Sequence, residues 1–370
     1  MGALIVILGL ICILMIHEAG HLLAAKAFGM KVTQYFLGFG PTVWSTKIGE
    51  TEYGIKAIPA GGFVRIIGMN PFEEITYEDE KRSYRSRPFY QKGIVVMAGV
   101  FTHFVLAFIL IWMANVIVGK PDYDNPLLEI ASIVEVDDNG EYSGAYRAGL
   151  KPGDNILALN GEIVESWDSF VFILSSLPDE STYIHIDRDG EEIATRVILT
   201  SKTGPDGREI GFLGVAPKIS KLRQSPLEGT LITIADVFRL TVISAEGLWG
   251  FLSNFGGFIE AIFGNEEILN EIRPVSLLGI AQIGAASHEA GLNFTLELLA
   301  YVSIFVALLN TIPLYPFDGG HLAVATYEKV TGRPVDIKKL MPVTALVICF
   351  LVFIGLLGLY FDIVNPIQLG

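Results

Sequence analysis

The feature that most constrains this chain is an uncharged apolar run that leads directly into a cluster of ionisable side chains. Residues 2–16 carry no charge, and the next five read His17-Glu18-Ala19-Gly20-His21. With the apolar residues that follow, this segment is long enough to form a helix that crosses a bilayer. Two imidazoles and a carboxylate are costly to place in hydrocarbon, so such groups mark functional sites. The sequence therefore predicts a chemical site inside a membrane-spanning helix.

The composition of the whole chain agrees with several membrane spans. Of its 370 residues 51% are hydrophobic and 18% are charged, and the mean hydropathy is +0.49. These values exclude an ordinary soluble protein. Cys12 and Cys349 lie in apolar segments, so we expect packing thiols and no disulfide framework. The hydropathy pattern predicts four spanning helices, at about 2–28, 93–118, 294–314 and 341–361.

The charges between the spans predict their orientation. Residues 29–92 contain nine Lys or Arg, and the connection 327–340 is also basic. Both loops follow odd-numbered spans, so the positive-inside rule places both in the cytoplasm. Residues 119–291 hold 27 Asp or Glu against 12 Lys or Arg, a net charge of −15. This acidic region and both termini are therefore expected outside, and the acidity disfavours nucleic acid as a partner.

Residues 227–263 are apolar but are interrupted by charged side chains. Those charges favour an amphipathic helix in the membrane interface over a further span. A single crossing here would also reverse the third span. Its C-terminal end would then lie a membrane width away from His17.

The spacing within residues 17–21 predicts a metal site. Side chains four residues apart lie on one helix face about 6 Å apart, so His17 and His21 can bind one metal ion. Glu18 is placed to act as a general base toward water. A hydrolytic zinc site needs a third protein ligand and an open position. Asp318 is the best candidate, because it follows a span of the same direction after prolines that break the helix, and the Gly-Gly pair that comes next permits a tight turn.

Three further polar residues near the spans, Asn310, His103 and His321, are candidates for substrate contact or for a structural role. Asn310 is an amide in an apolar helix, suited to holding a substrate carbonyl or an oxyanion. His103 lies mid-way along the second span, where a structural hydrogen bond is favoured over contact with the site. His321 is better explained as an interfacial residue than as a further ligand.

Taken together, these motifs resemble the site-2 protease family of membrane-embedded zinc metalloproteases. The zinc-binding motif matches at residues 17–21, and the second motif, an Asn and Pro leading to Asp-Gly, matches at 310–319. The resemblance is closer to the bacterial branch with an external PDZ domain, which includes the sigma-E-pathway proteases. It implies His17, His21 and Asp318 as ligands of one Zn²⁺ per chain and Glu18 as the catalytic residue.

The resemblance extends to two other regions. Residues 50–68 resemble the family's cytoplasmic-side β-like loop, which implies that Gly61, Gly62 and Phe63 help to hold an unwound substrate segment; a plain hairpin is the alternative. Residues 127–200 resemble a PDZ domain, most clearly at 148–161. Such a domain could capture the C-terminal tail of a peptide, or it could admit only substrates whose external domains have been removed.

Two positions depart from the family pattern. Many members carry Gly-Pro-x-x-Asn in the second span, whereas this chain has Val100 after Gly99 and His103 in place of the Asn. Some relatives carry a second Asn where this chain has Phe305.

Two other functions are alternatives to a protease. A membrane scaffold that only binds tails does not require Glu18, and a metal transporter would carry polar residues along several spans. A protease therefore remains the favoured function.

The sequence thus predicts a polytopic α-helical membrane protein with four spans, a β-like loop and an extracytoplasmic PDZ-like α+β domain. The expected parts are 1–118, 119–225, the interfacial segment 226–291, and 292–370. We expect an intramembrane zinc endopeptidase of the bacterial cytoplasmic membrane. Its partners would be the lipid bilayer and single-span proteins already trimmed outside, such as anti-sigma factors, or remnant signal peptides.

Overall fold

The structure is a computed structural model that describes residues 2–70, 73–136, 140–203, 207–257, 274–364 and 366. Among these residues four helices have the length and composition to cross a membrane. They are Gly2–Ala27, Phe89–Val118, Leu292–Thr311 and Lys338–Val364. The prediction of four helices long and apolar enough to span a membrane is confirmed, and each helix end lies within a few residues of its expected place.

The elements are numbered here in chain order. The helices are α1 (Gly2–Ala27), α2 (Tyr77–Glu80), α3 (Phe89–Trp112, extended by a π-helical turn over Met113–Val118), α4 (Gly144–Arg147), α5 (Trp167–Ser175), α6 (Pro226–Ser253), α7 (Leu277–Ala290), α8 (Leu292–Thr311), α9 (Asp318–Thr331) and α10 (Ile337–Val364). The strands are β1 (Val32–Ile48), β2 (Thr51–Ile66), β3 (Lys120–Pro121), β4 (Leu127–Ile133), β5 (Asn155–Leu159), β6 (Glu162–Ile163), β7 (Ser181–Arg188), β8 (Glu191–Ile198), β9 (Thr200–Thr203), β10 (Glu209–Phe212), β11 (Val215–Lys218) and β12 (Lys221–Leu222). The chain forms two compact units, 1–118 with 224–370, and 119–223.

Helix α1 packs closely against α3 in the first unit. A Cβ atom on Gly20 would lie 2.6 Å from the Ala98 carbonyl oxygen, so only glycine permits this approach of the two backbones. Further along α1, Val6 and Ile13 form a buried cluster with Leu299 of α8. Close packing on two sides holds the His17-to-His21 turn of α1 in a fixed position.

Strands β1 and β2 form a strongly bent sheet beside α1. Residues Tyr35 to Leu37 of β1 pair with two parts of β2, Tyr53 to Ile55 on one side and Gly62 to Val64 on the other. The last part of β2 is therefore an edge, and no strand among the described residues pairs with its outer side. An unpaired edge presents backbone N–H and C=O groups that an extended peptide can join.

Helix α10 is anchored near its C-terminal end by Asp362. Its buried carboxylate accepts hydrogen bonds from the Ser276 N–H at 2.8 Å, the Ser276 hydroxyl at 2.7 Å and the Gly279 N–H at 3.0 Å. These groups lie at the start of α7, where the first N–H groups of a helix need acceptors. Asp362 thereby ties α10 to α7.

Helix α6 packs along the spanning helices α3 and α8. Its Val237 and Leu240 lie against the buried cluster that contains Ala107 and Ile304. The Trp112 indole N–H also donates to Thr230 Oγ1 at 3.1 Å. Helix α6 is not among the candidate spans. The interfacial location of 226–291 stays a prediction, and its part 258–273 lies outside the described residues.

The second unit is rich in β-structure. Its largest sheet has the strand order β11-β4-β5-β7-β8, with β6 paired to β5. Helix α5 begins with a capping box, in which Ser166 and Ser169 exchange side-chain-to-backbone hydrogen bonds. Phe170 from this helix is fully buried in a core built on Ile156 and Ile184. Inward side chains of the sheet and one helix face therefore form a separate hydrophobic core.

A buried ion pair stabilises this second unit. The Asp154 carboxylate is 1% exposed and accepts hydrogen bonds from Arg188 Nε at 2.7 Å, Arg188 Nη2 at 2.8 Å and the Lys151 N–H at 2.7 Å. Burial opposes ionisation of Asp154, but these bonds outweigh burial and hold its pKa below the usual value. The ionised carboxylate therefore stabilises the folded unit above pH ~4, and this contribution is lost as the pH falls through the lowered folded-state pKa.

We expect Asp154→Asn to lower the unfolding free energy of residues 119–223 by about 1.5–3 kcal/mol at pH 7, because hydrogen bonds to charged groups contribute that much. The difference from wild type should shrink below pH ~4. Hydrogen exchange in the full chain, corrected for the intrinsic rate at each pH, measures both effects. Glu192→Gln, which removes only the exposed contact with His185, is the matched control and should change stability by less than about 0.5 kcal/mol. Equal stability of Asp154→Asn and wild type would contradict the prediction.

Candidate metal centre and active-site cleft

Three potential metal ligands converge between α1 and the start of α9. The Nε2 atoms of His17 and His21 lie 3.2 Å apart, and Asp318 Oδ2 lies 3.2 Å from the first and 3.1 Å from the second. The histidines are buried and Asp318 is half-buried. The structure thus brings together the three side chains that the sequence predicts as a metal site, although Asp318 is 297 residues from His21.

The orientation of His21 fits a metal ligand. Its Nδ1 lies 2.8 Å from the backbone carbonyl oxygen of Val95, which can only accept a hydrogen bond. The ring proton is therefore on Nδ1, and the Nε2 lone pair faces His17 and Asp318. Metal-binding histidines usually donate their second ring N–H in this way.

Asp318 reaches the histidines through a tight turn between α8 and α9. A Cβ atom on Gly319 would lie 2.4 Å from the carbonyl oxygens of both Thr311 and Ile312. One on Gly320 would lie 2.7 Å from the Tyr315 nitrogen. Both glycines are required because the chain folds back on its own backbone here. This agrees with the expectation that the Gly-Gly pair permits the turn.

Gly99 of α3 makes room for both imidazoles. A Cβ atom at this position would lie 2.3 Å from His21 Nε2 and 2.7 Å from His17 Cε1. Any side chain here would occupy the space of the rings. In the sequence, Gly99 is recognisable only as part of a family motif. A glycine in the apolar middle of a span is the available signal, because small residues there mark close approach.

Glu18 lies beside the three ligands in a cleft of about 900 Å³. Val64 lines the same cleft, and a Cβ atom on Gly62 would lie 3.3 Å from Glu18 Cγ. The end of β2 therefore runs past the carboxylate. The cleft is lined by Glu18, His21, Phe63, Val64, Arg65, Ile66, Met69, Asn70, Glu73, Glu74, Tyr315, Pro316, Asp318, His321, Leu340, Met341, Thr344, Ala345 and Ile348. The last five belong to α10, a contribution that the sequence analysis did not predict.

Other candidate residues lie at varying distances from this centre. His321 lines the cleft, and its Nδ1 lies 3.3 Å from the Tyr315 hydroxyl oxygen. Asn310 is half-buried near the end of α8 and does not line the cleft. Gly61 also lies outside the lining; it has a φ of +123° and adjoins the Phe39 ring. Of the predicted substrate-contact residues, Phe63 lines the cleft and Gly62 adjoins Glu18.

The donor set fits a hydrolytic zinc site. Two imidazole nitrogens and one carboxylate oxygen, all within 4.8 Å of one another, match the three protein ligands of catalytic zinc centres. His21, Asp318 and Glu18 also line the cleft, so a metal ion held here would be within reach of water.

Comparison with known proteins decides the family. The model of peptidase family M50 matches residues 5–354. The chain belongs to this family. The predicted resemblance to site-2 proteases is thereby confirmed, and this family member is a zinc metalloprotease. The chain is 33% identical over 402 residues to zinc metalloprotease Rip1 of Mycolicibacterium smegmatis, covering 100% of this chain and 98% of that protein. Rip1 of Mycobacterium tuberculosis is 31% identical over 400 residues, with the same coverage.

One solved structure shows a partial similarity to this M50 peptidase. It is the PDZ domain of an SdrC-like protein from Listeria monocytogenes, 19% identical, with a TM-score of 0.19, covering 26% of this chain and 92% of that chain. A score this low carries no argument about the fold. The PDZ-like assignment of 127–200 therefore stays a prediction from the sequence.

Proposed function

We propose that this M50 peptidase is an intramembrane zinc endopeptidase. It cleaves transmembrane segments of single-span membrane proteins that have already been trimmed outside, such as anti-sigma factors, or remnant signal peptides. The observation that carries the proposal is the convergence of His17, His21 and Asp318, with Glu18, His17 and His21 on one helix that has the length and apolarity of a membrane span. A protease with two donor atoms and its general base on such a helix would meet substrate within the bilayer.

His17, His21 and Asp318 would hold one zinc ion per chain. When bound, zinc supplies a Lewis acid that polarises a peptide carbonyl and makes water more acidic. Glu18 takes a proton from the water whose oxygen attacks the carbonyl carbon. It returns that proton to the amide nitrogen as the C–N bond breaks, so that one carboxylic acid and one amine leave the site.

The edge of β2 would hold the substrate in an extended form. Helical amides are hydrogen-bonded within the helix, so a transmembrane helix must unwind before attack. Gly62 and Phe63 lie on the unpaired edge, next to Glu18. A substrate strand that adds to this edge would present its backbone to the centre. The substrate roles of Gly61 and Asn310, outside the cleft lining, stay predictions.

The orientation in the membrane follows from charge. The basic 29–92 loop would face the cytoplasm of a bacterial cell, and the acidic 119–223 unit and both termini would face outside. There the PDZ-like domain would capture a C-terminal tail or admit only substrates without bulky external domains.

Removal of the metal tests the proposal. We expect 1,10-phenanthroline to abolish cleavage of a tagged single-span substrate by the purified full chain in detergent. Zinc added in an amount equal to that of the chelator should restore cleavage. The non-chelating 1,7-isomer is the control and should leave cleavage unchanged. Cleavage that persists in metal-free protein would disprove the zinc endopeptidase assignment.

A further inference from the structure

A second buried polar centre, on α3 and α8, lies against the proposed metal ligands. His103 is 1% exposed, and its Nδ1 lies 3.0 Å from Ser303 Oγ. The Ser303 hydroxyl donates its single hydrogen to the His103 carbonyl oxygen at 3.1 Å. The Ser303 oxygen must therefore accept from Nδ1–H of the His103 ring. This arrangement leaves the Nε2 atom of His103 as an acceptor.

Two buried nitrogen atoms in neighbouring rings have no hydrogen-bond partner in the described part of the chain. They are His103 Nε2 and His17 Nδ1. The two ring centroids are 4.7 Å apart, with an angle of 32° between the ring planes. A neutral His17 that offers Nε2 to a metal carries its proton on Nδ1. An unpartnered donor and an unpartnered acceptor therefore lie in adjacent side chains.

The two proposed histidine ligands differ in how their outer nitrogens are held. His21 directs Nδ1 to the Val95 carbonyl oxygen at 2.8 Å. His17 has no corresponding backbone partner among the described residues. Because a buried polar group without a partner costs free energy, one side of the centre is incomplete unless a neighbour supplies an acceptor. His103 adjoins the His17 ring and carries a nitrogen atom without another partner in the described part of the chain.

We propose that His103 is a positioning residue for the metal centre. Its Nε2 accepts a hydrogen bond from Nδ1–H of His17, directly or through one bridging water, when the metal is bound. Ser303 fixes the tautomer of His103 that makes this possible. The inference rests on the proposed role of His17 as a ligand. It gives a function to a position where many members of the family carry Asn.

Three variants of the full chain separate this role from simple packing. His103→Phe keeps an aromatic ring beside His17 but removes the acceptor. His103→Gln places an amide oxygen near the position of Nε2. Ser303→Ala removes the hydrogen bond to His103 and leaves the His103 ring in place. Zinc affinity is measured in detergent by competition with a chromogenic chelator, and the visible spectrum of the Co²⁺-loaded protein reports the ligand geometry. Circular dichroism checks that each variant is folded.

We expect His103→Phe to bind zinc about 10–100-fold more weakly, since loss of a partner of a metal-ligating histidine has an effect of this size. Its Co²⁺ spectrum should shift, whereas His103→Gln should stay within about threefold of wild type and keep the spectrum. The zinc affinity of Ser303→Ala should lie between the affinities of His103→Phe and His103→Gln. Equal affinity and spectrum for His103→Phe and wild type would overturn the inference, as would equal weakening of the Phe and Gln variants. Wild-type protein that binds no zinc would overturn the proposed function itself.

Discussion

Glu18→Gln is expected to keep its zinc and to lose cleavage activity by a factor of about 10²–10⁴, the usual contribution of a general base. Glutamine has the size of glutamate, so the side chain should keep its place beside Gly62. It cannot take a proton from water at neutral pH. Single-turnover cleavage and zinc content are measured on the same preparation, so that loss of chemistry is separated from loss of metal.

A matched carboxylate serves as the control for this experiment. Glu50 lies in the turn between β1 and β2, pairs with Arg82 and is not part of the cleft lining. Glu50→Gln should therefore cleave at close to the wild-type rate. If Glu18→Gln holds its zinc and also cleaves normally, Glu18 is not the base. If it loses zinc, the carboxylate contributes to metal binding and its assignment must change.

Gly99→Ala should have the second large effect. The added methyl carbon would lie 2.3 Å from His21 Nε2 and 2.5 Å from His21 Cε1, so the rings or α3 must shift. A displacement of about 1 Å at a reacting centre can reduce the rate 10²-fold. We therefore expect a loss of cleavage of at least this size, together with zinc bound at less than one ion per chain. Zinc analysis and cleavage assays on folded protein measure the two effects.

Gly93→Ala is the control on the same helix. Its added carbon would lie 3.6 Å from Leu322 Cδ1, an ordinary van der Waals distance. Both variants introduce the same change in helix propensity, so their difference isolates the contact with the imidazoles. Full zinc binding and normal cleavage by Gly99→Ala would show that the space beside the histidines is not required.

The part of the site that lies within one helix was predictable from the sequence. His17, Glu18 and His21 lie within five residues, and the helical repeat alone places the two histidines on one face. Asp318 was also identified, because parallel spans and a proline-glycine turn bring it to the same depth. By contrast, the position of Gly62 beside Glu18 and the α10 wall of the cleft depend on contacts between separate segments. No local pattern encodes those contacts.

The sequence by itself determined the four apolar helices, the family motifs and the residue types that can hold zinc. These properties follow from the hydropathy and spacing of neighbouring residues. Only the tertiary structure decided which side chains surround the metal candidates. Gly99 had to face the imidazoles, the end of β2 had to be the free edge, and His103 had to meet both Ser303 and His17. Such contacts join residues as many as 200 positions apart, and they depend on how the helices pack rather than on the pattern of any one helix.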